Sequence, residues 1–171
     1  MTVELLTKGG VSLIYQLKVS LKHTKPPIWR RLQVDADTTF HQLHHILQIA
    51  FDWDDQHLHV FRPSKIPDQK RDVTDETHDL FSFFGDPGNE MVEIGDPEFN
   101  EGWGTFFDEK EEKLSDWLQQ EKDKITYTYD FGDDWEHLIV LERILPPEAD
   151  VPYPRCVKVR HLAPEEDSRG E

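Results

Sequence analysis

Alternation of apolar and polar residues runs through the first part of the chain. In VSLIYQLKVSLK, residues 11–22, Leu13, Tyr15, Leu17, Val19 and Leu21 fall on one side. That period of two belongs to a half-buried strand. Pro26-Pro27 then breaks the ladder, and Ile28, Arg30, Leu32 and Val34 lead into a second strand that starts at an edge or a bend. The period changes in DADTTFHQLHHILQIAFDW, residues 35–53. There Phe40, Leu43, Leu47, Ala50 and Phe51 recur at helical spacing, with Ile46 beside them. The spacing predicts a main helix over 38–52, packed on a sheet and capped by Asp37 or Thr38.

HLHVFRP, residues 57–63, predicts a third strand with His57, His59 and Phe61 on one face and Leu58 and Val60 on the other. Residues 63–107 read as a long, largely irregular insertion rich in Pro, Gly, Asp and Glu. Its apolar islands LFSFF (80–84) and MVEI (91–94) suggest one or two short strands. Residues 108–124 predict a short helix with Leu114, Trp117 and Leu118 as its stripe. KITYTYDF (124–131) alternates again, with Ile125, Tyr127, Tyr129 and Phe131 on one face, and WEHLIVLERIL (135–145) follows as its partner. VKVRHL (157–162) suggests a last short strand, and 163–171 a flexible acidic tail. Together these elements predict a single α+β domain: a mixed, mostly antiparallel sheet with one main helix packed on it. A chain of 171 residues is long enough to bury its own core.

Composition narrows the function classes. The formal charge is −16, from 19 basic and 35 acidic residues. Such a surface repels polyanions, so nucleic acid is disfavoured as a partner. The one cysteine, Cys156, allows no internal disulfide and no thiolate zinc cage. This usage suits a reducing cytoplasm. MTVELLTKGG lacks the basic-then-apolar order of a secretory signal, and no run approaches the ~20 apolar residues of a membrane helix.

Three stretches invite a chemical reading. YDFGDDWEH, 129–137, spells the kinase tripeptide Asp-Phe-Gly, but no glycine-rich phosphate loop or catalytic-loop motif accompanies it. Between two strand-like runs, GDD reads as a hairpin turn with Gly132 at the positive backbone angle. HQLHH places His41 and His45 four apart on the helix, as a metal pair requires. Gln42, however, stands where a zinc protease has its glutamate. His57, His59 and His137 with Asp130 form a candidate metal or acid–base group if the strands bring them together. PPIWRR, 26–31, is a basic and aromatic spot on an acidic chain. No nucleophile set is visible, and no cofactor motif.

PPIWRRLQV, DTTFHQLHHILQIAFDWDDQHLHVF, YTYDFGDDWEHLIVLERILP, YPRC and APEED, in this order, resemble the plasmid pRiA4b ORF-3-like family. The resemblance implies a small α+β domain found on plasmids and mobile elements, sometimes fused to other domains. It implies no established activity. The co-occurring motifs suggest that Trp29, Arg30, Asp54, His57, His59, Asp130, Asp133 and Trp135 meet around one polar cleft; a shared structural network, with Arg30 satisfying buried carboxylates, would leave the same motifs. The function expected is a non-enzymatic binding module for a protein partner or small ligand. The competing class is an enzyme or metal protein built on the His/Asp group.

Overall fold

The computed structural model describes residues 12–71, 91–100 and 104–168. Eight strands form one sheet: β1 (Ile14–Leu21), β2 (Ile28–Asp35), β3 (His59–Pro63), β4 (Val92–Gly95), β5 (Thr105–Asp108), β6 (Lys124–Tyr129), β7 (Trp135–Leu145) and β8 (Arg155–Arg160). Their order across the sheet is β5-β4-β3-β6-β7-β1-β2-β8. Every pairing is antiparallel except β4 with β5. The architecture is the expected α+β domain with a mixed, mostly antiparallel sheet.

One main helix, α1 (Phe40–Ala50), covers one face. Among the described residues two four-residue turns of α-helix, α2 (Asp68–Arg71) and α3 (Leu114–Trp117), and a 3-10 turn at Pro97–Phe99 accompany it. Cross-strand partners share a face, so the register names the core rows directly. One row runs Ile28, Leu21, His137, Tyr127, Phe61, Ile94 and Phe107. A neighbouring row carries Trp135, Tyr129 and His59. Phe40, Leu43 and Leu47 of α1 are fully buried over these rows.

The helix begins two residues later than expected. Thr39, not Asp37 or Thr38, is its N-cap: Gln42 N–H donates to Thr39 Oγ1 at 3.1 Å, and Thr39 N–H donates to Gln42 Oε1 at 3.0 Å. Gln42 therefore serves a capping box. Thr38 is occupied elsewhere, donating its N–H to Asp35 and accepting from Leu114 N–H.

The 63–107 stretch supplies two short strands, β4 and most of β5, in line with the one or two expected. β4 arises from the MVEI island and pairs with β3, and β5 extends the sheet beyond it. The LFSFF island lies outside the described residues. The 108–124 segment forms only the four-residue α3. Residues 163–168, expected in a flexible tail, are held against the body. Ala163 packs on the core, and Trp53 Nε1 donates to Pro164 O at 2.9 Å. Asp54 N–H donates to Glu166 at 3.0 Å, and Tyr129 O–H donates to the same carboxylate. Among the described residues no helix is long and apolar enough to cross a membrane.

Candidate functional site

A cleft of about 560 Å³ opens where α1, the start of β3 and the β6–β7 turn meet. Five histidines line it, His41, His44, His45, His57 and His59, with Asp55, Asp96, Glu109 and Asp130. Helical spacing supplies His41, His44 and His45, strand alternation aims His59 at the helix, and the 130–134 turn supplies Asp130.

The turn differs from the expected hairpin tip. The positive backbone angles fall on Asp130 (φ 62°) and Asp134 (φ 57°), and Gly132 is not in the left-handed region. Aspartate tolerates that region because its short side chain bonds the local backbone. Asp130 Oδ1 accepts from Gly132 N–H at 3.0 Å and from Asp133 N–H at 3.3 Å. A Cβ at position 132 would lie 3.3 Å from that oxygen, so glycine makes room for the bond. Asp130 Oδ2 remains to face the cleft.

On the floor, a closed ring of hydrogen bonds fixes His44. Gln48 Nε2 donates to Tyr127 Oη at 3.0 Å, so the tyrosine proton goes to His44 Nδ1 at 2.7 Å. His44 Nε2–H then donates to Asp55 Oδ1 at 2.7 Å, and Asp55 N–H donates to Gln48 Oε1 at 2.9 Å. Burial, reinforced by the neighbouring His59, lowers the His44 pKa to about 4, against the pull of Asp55. The ring is neutral at pH 7, and both its nitrogens are committed.

His59 stacks on His44 with ring centroids 3.5 Å apart and planes 8° from parallel. Its Nε2 lies 3.0 and 3.1 Å from the two oxygens of Glu109. Glu109 is 1% exposed. Burial would raise its pKa, but the hydrogen bond and charge of His59 outweigh this and hold it below the usual carboxylate value. His41 Nδ1 approaches Glu109 at 3.6 Å, while its Nε2 meets His45 Nε2 at 3.3 Å.

A third group is less complete. His57 Nε2 is shielded from solvent yet makes no hydrogen bond of acceptable geometry among the described residues. Asp167 Oδ1 lies 2.8 Å away and Asp130 Oδ2 3.6 Å away. The donor atoms of His57, Asp130 and Asp167 all fall within 4.8 Å of one another, a compass suited to one cation. His44, Asp55 and His59 meet the same distance test. An ion there would have to break the His44 ring.

The expected cleft is thus assembled in part. His57, His59 and Asp130 line it, and Asp133 contributes its backbone N–H to the Asp130 turn. Asp54 lies at the docked tail through its backbone. Trp135 is buried and packs beside Trp53. Trp29 sits on the opposite sheet face, because neighbouring strand residues alternate. Arg30, 4% exposed, binds backbone carbonyls and, among the described residues, no carboxylate: Ala50 at 2.9 Å, Trp29 at 3.0 Å, Arg160 at 3.3 Å and His161 at 2.9 Å. Its position beneath the end of α1 lets it cap the orphaned Ala50 carbonyl while tying it to β2 and β8. His137 is fully buried in the aromatic core, edge-on to Phe51 at 4.7 Å and Trp53 at 5.3 Å, outside the cleft lining. Sequence reasoning missed Glu109, hidden in the charge run DEKEEK, and Asp167, hidden in the acidic tail.

Known proteins resemble this chain in sequence and in fold. A family model described as plasmid pRiA4b ORF-3-like protein matches residues 13–171. The uncharacterized protein y4hQ of Sinorhizobium fredii is 32% identical over 162 residues, covering 94% of this chain and 69% of its own. A crystal structure of MM3350 from Methanosarcina mazei Go1, titled a protein of unknown function, shares 36% identity. It superposes with a TM-score of 0.71 over 92% of this chain and 75% of that one.

Proposed function

The chain belongs to the plasmid pRiA4b ORF-3-like family, and from that premise we propose a non-enzymatic binding module whose cleft takes one divalent transition-metal ion. His57, Asp130 and Asp167 would be its ligands. The observation that carries this reading is His57 Nε2, shielded from water between two carboxylates from distant segments and, among the described residues, without a hydrogen bond of acceptable geometry. One imidazole and two carboxylates form a borderline donor set, suited to zinc or manganese. Three protein ligands leave a coordination position for a small ligand or a partner's donor atom. The exposed Cys156, with no second cysteine to pair with, fits a reducing cytoplasm, and the family description fits carriage on mobile elements.

An acid–base enzyme at the stacked histidines has less support. His44 is neutral at pH 7 with both nitrogens engaged, so it has no free site for proton exchange with a substrate.

Zinc titration of tag-free, chelator-treated protein by calorimetry, with elemental analysis for stoichiometry, tests the proposal. One ion per chain is expected. His57→Ala and Asp130→Asn should abolish binding, while His41→Ala/His45→Ala leaves it intact. Asp130→Asn keeps an oxygen acceptor for the turn, so its loss would report ligation. Binding that survives His57→Ala, or that follows His41 and His45, would overturn the assignment.

A further inference from the structure

The outer edge of the sheet is charged unlike the rest of the molecule. β8 is the terminal strand beside β2, and among the described residues no strand pairs with its far side. It is exposed from Cys156 to Arg160. The register sets Arg155, Lys158 and Arg160 opposite Gln33, Arg31 and Trp29, on the face away from α1. Lys18 of β1 lies opposite Arg31 on the same face. The Trp29 ring centroid is 4.7 Å from Lys18 Nζ, 5.1 Å from Arg31 Cζ and 5.7 Å from Lys158 Nζ. Cations therefore gather around one indole in a chain whose acids outnumber its bases 35 to 19. Arg31 pairs with Glu142 at 3.0 Å. Among the described residues Lys18, Lys158 and Arg160 enter no salt bridge. Val159, opposite Arg30, and Val157, at the bulge, remain 56% and 40% exposed.

We propose that β8 accepts an extended acidic segment of another protein as a ninth strand. Open edge strands present unpaired backbone groups that template a partner strand. The period of two would set alternate carboxylates of that partner beside Lys158 and Arg160, with Lys18 two strands further in adding to the positive field, and its apolar residues along Val159. Self-pairing is discouraged, because two antiparallel copies of β8 would bring Arg155, Lys158 and Arg160 of each into one row of like charge. A nucleic acid would meet the same cations and the indole, but its continuing phosphates would run onto a surface of formal charge −16. A short acidic strand meets the basic edge alone. This surface is independent of the metal reading of the cleft.

The test is fluorescence anisotropy of a labelled hexapeptide of alternating Glu and Val against the full chain. Saturable binding that weakens with rising ionic strength is expected. Methylating alternate backbone nitrogens of the peptide should abolish it. Lys158→Glu/Arg160→Glu should weaken it about tenfold, as a few surface charge contacts of a fraction of a kcal/mol each would do. Lys110→Glu/Lys113→Glu, the same charge change in the turn after β5, should leave it unaltered. Circular dichroism confirms that both variants are folded. Should the double variant at β8 fail to fold, the methylated peptide still decides the question with unaltered protein. Absence of saturable binding, or equal binding of the methylated peptide, would overturn the proposal. So would tighter binding of an oligothymidylate of equal charge, or a dimer in sedimentation that Lys158→Glu/Arg160→Glu dissociates.

Discussion

Replacing Arg30 tests whether a buried cation can hold a fold together without an anion. In Arg30→Ala four carbonyl contacts vanish, at 2.9 to 3.3 Å, and the side chain no longer lies over Phe51, 4.9 Å from its ring centroid. Hydrogen bonds to a charged group contribute about 1.5–3 kcal/mol each, and they are not additive when one group makes several. The edge carbonyls of Arg160 and His161 regain water, whereas Ala50 O lies against the core. A net loss of about 3–5 kcal/mol follows, in the range of broken buried networks. For a domain of this length each kcal/mol moves the melting temperature by ~2–4 °C, so a fall of about 10 °C is expected. Arg30→Met separates the terms, since it keeps apolar packing on Phe51 and removes the donors. Arg30→Lys should recover less than half the loss, because one ammonium cannot span carbonyls on α1 and β8. Differential scanning calorimetry with urea titration reads all three. A melting fall below about 2 °C for Arg30→Ala, or an Arg30→Met variant as stable as the parent, would refute the account.

Stability should decline as pH falls from about 6.5 towards 4. Burial is the main cause holding His44 and His137 near a pKa of about 4, so in this window the unfolded chain binds the extra protons. The stability tied to each is complete above the unfolded pKa and amounts to roughly 3 kcal/mol. Urea midpoints at pH 7 and 4.5 measure it, and a flat profile would contradict the burial of these rings. At the turn, Asp130→Ala should lose about 2 kcal/mol through two hydrogen bonds and the cost of φ 62° for alanine, with Asp130→Gly intermediate and Asp130→Asn near the parent. Thermal melts rank the three, and an alanine variant as stable as the asparagine one would refute the turn's dependence on that side chain.

The legible parts of the fold were those whose period repeats often enough to be read. β1, β6, β7 and α1 each show three or more apolar residues at one spacing. β4 and β5 hold four residues each, too few for a period to stand out in acidic surroundings. Alternation placed Arg30 and Trp29 on opposite faces, but did not say which faced α1. Arg30 was matched with carboxylates because an acidic chain offers many, whereas the helix end offered carbonyls at closer range. His57, His59 and Asp130 were legible as cleft residues because they flank strand ends that become neighbours. The His44 ring was not, since its bonded partners lie at separations from 7 to 83 positions along the chain. Glu109 was masked by its sequence neighbours, most of them solvated charges.

The docked stretch 163–168 bears on how the protein is prepared for study. Asp167 reaches the candidate ligand set, and Glu166 is bonded to Asp54 and Tyr129 at the cleft's rim. A polyhistidine tag placed within a few residues of Ser168 would start close to this ligand set. An extended residue spans about 3.5 Å, so such a tag could fold back onto His57 and Asp130 and present competing imidazoles. β1 enters from the other end of the sheet, where Ile14 pairs with Leu145 while Leu21 pairs with His137. Affinity handles for metal work therefore do not belong directly after residue 168, where their imidazoles would compete with His57 for an ion.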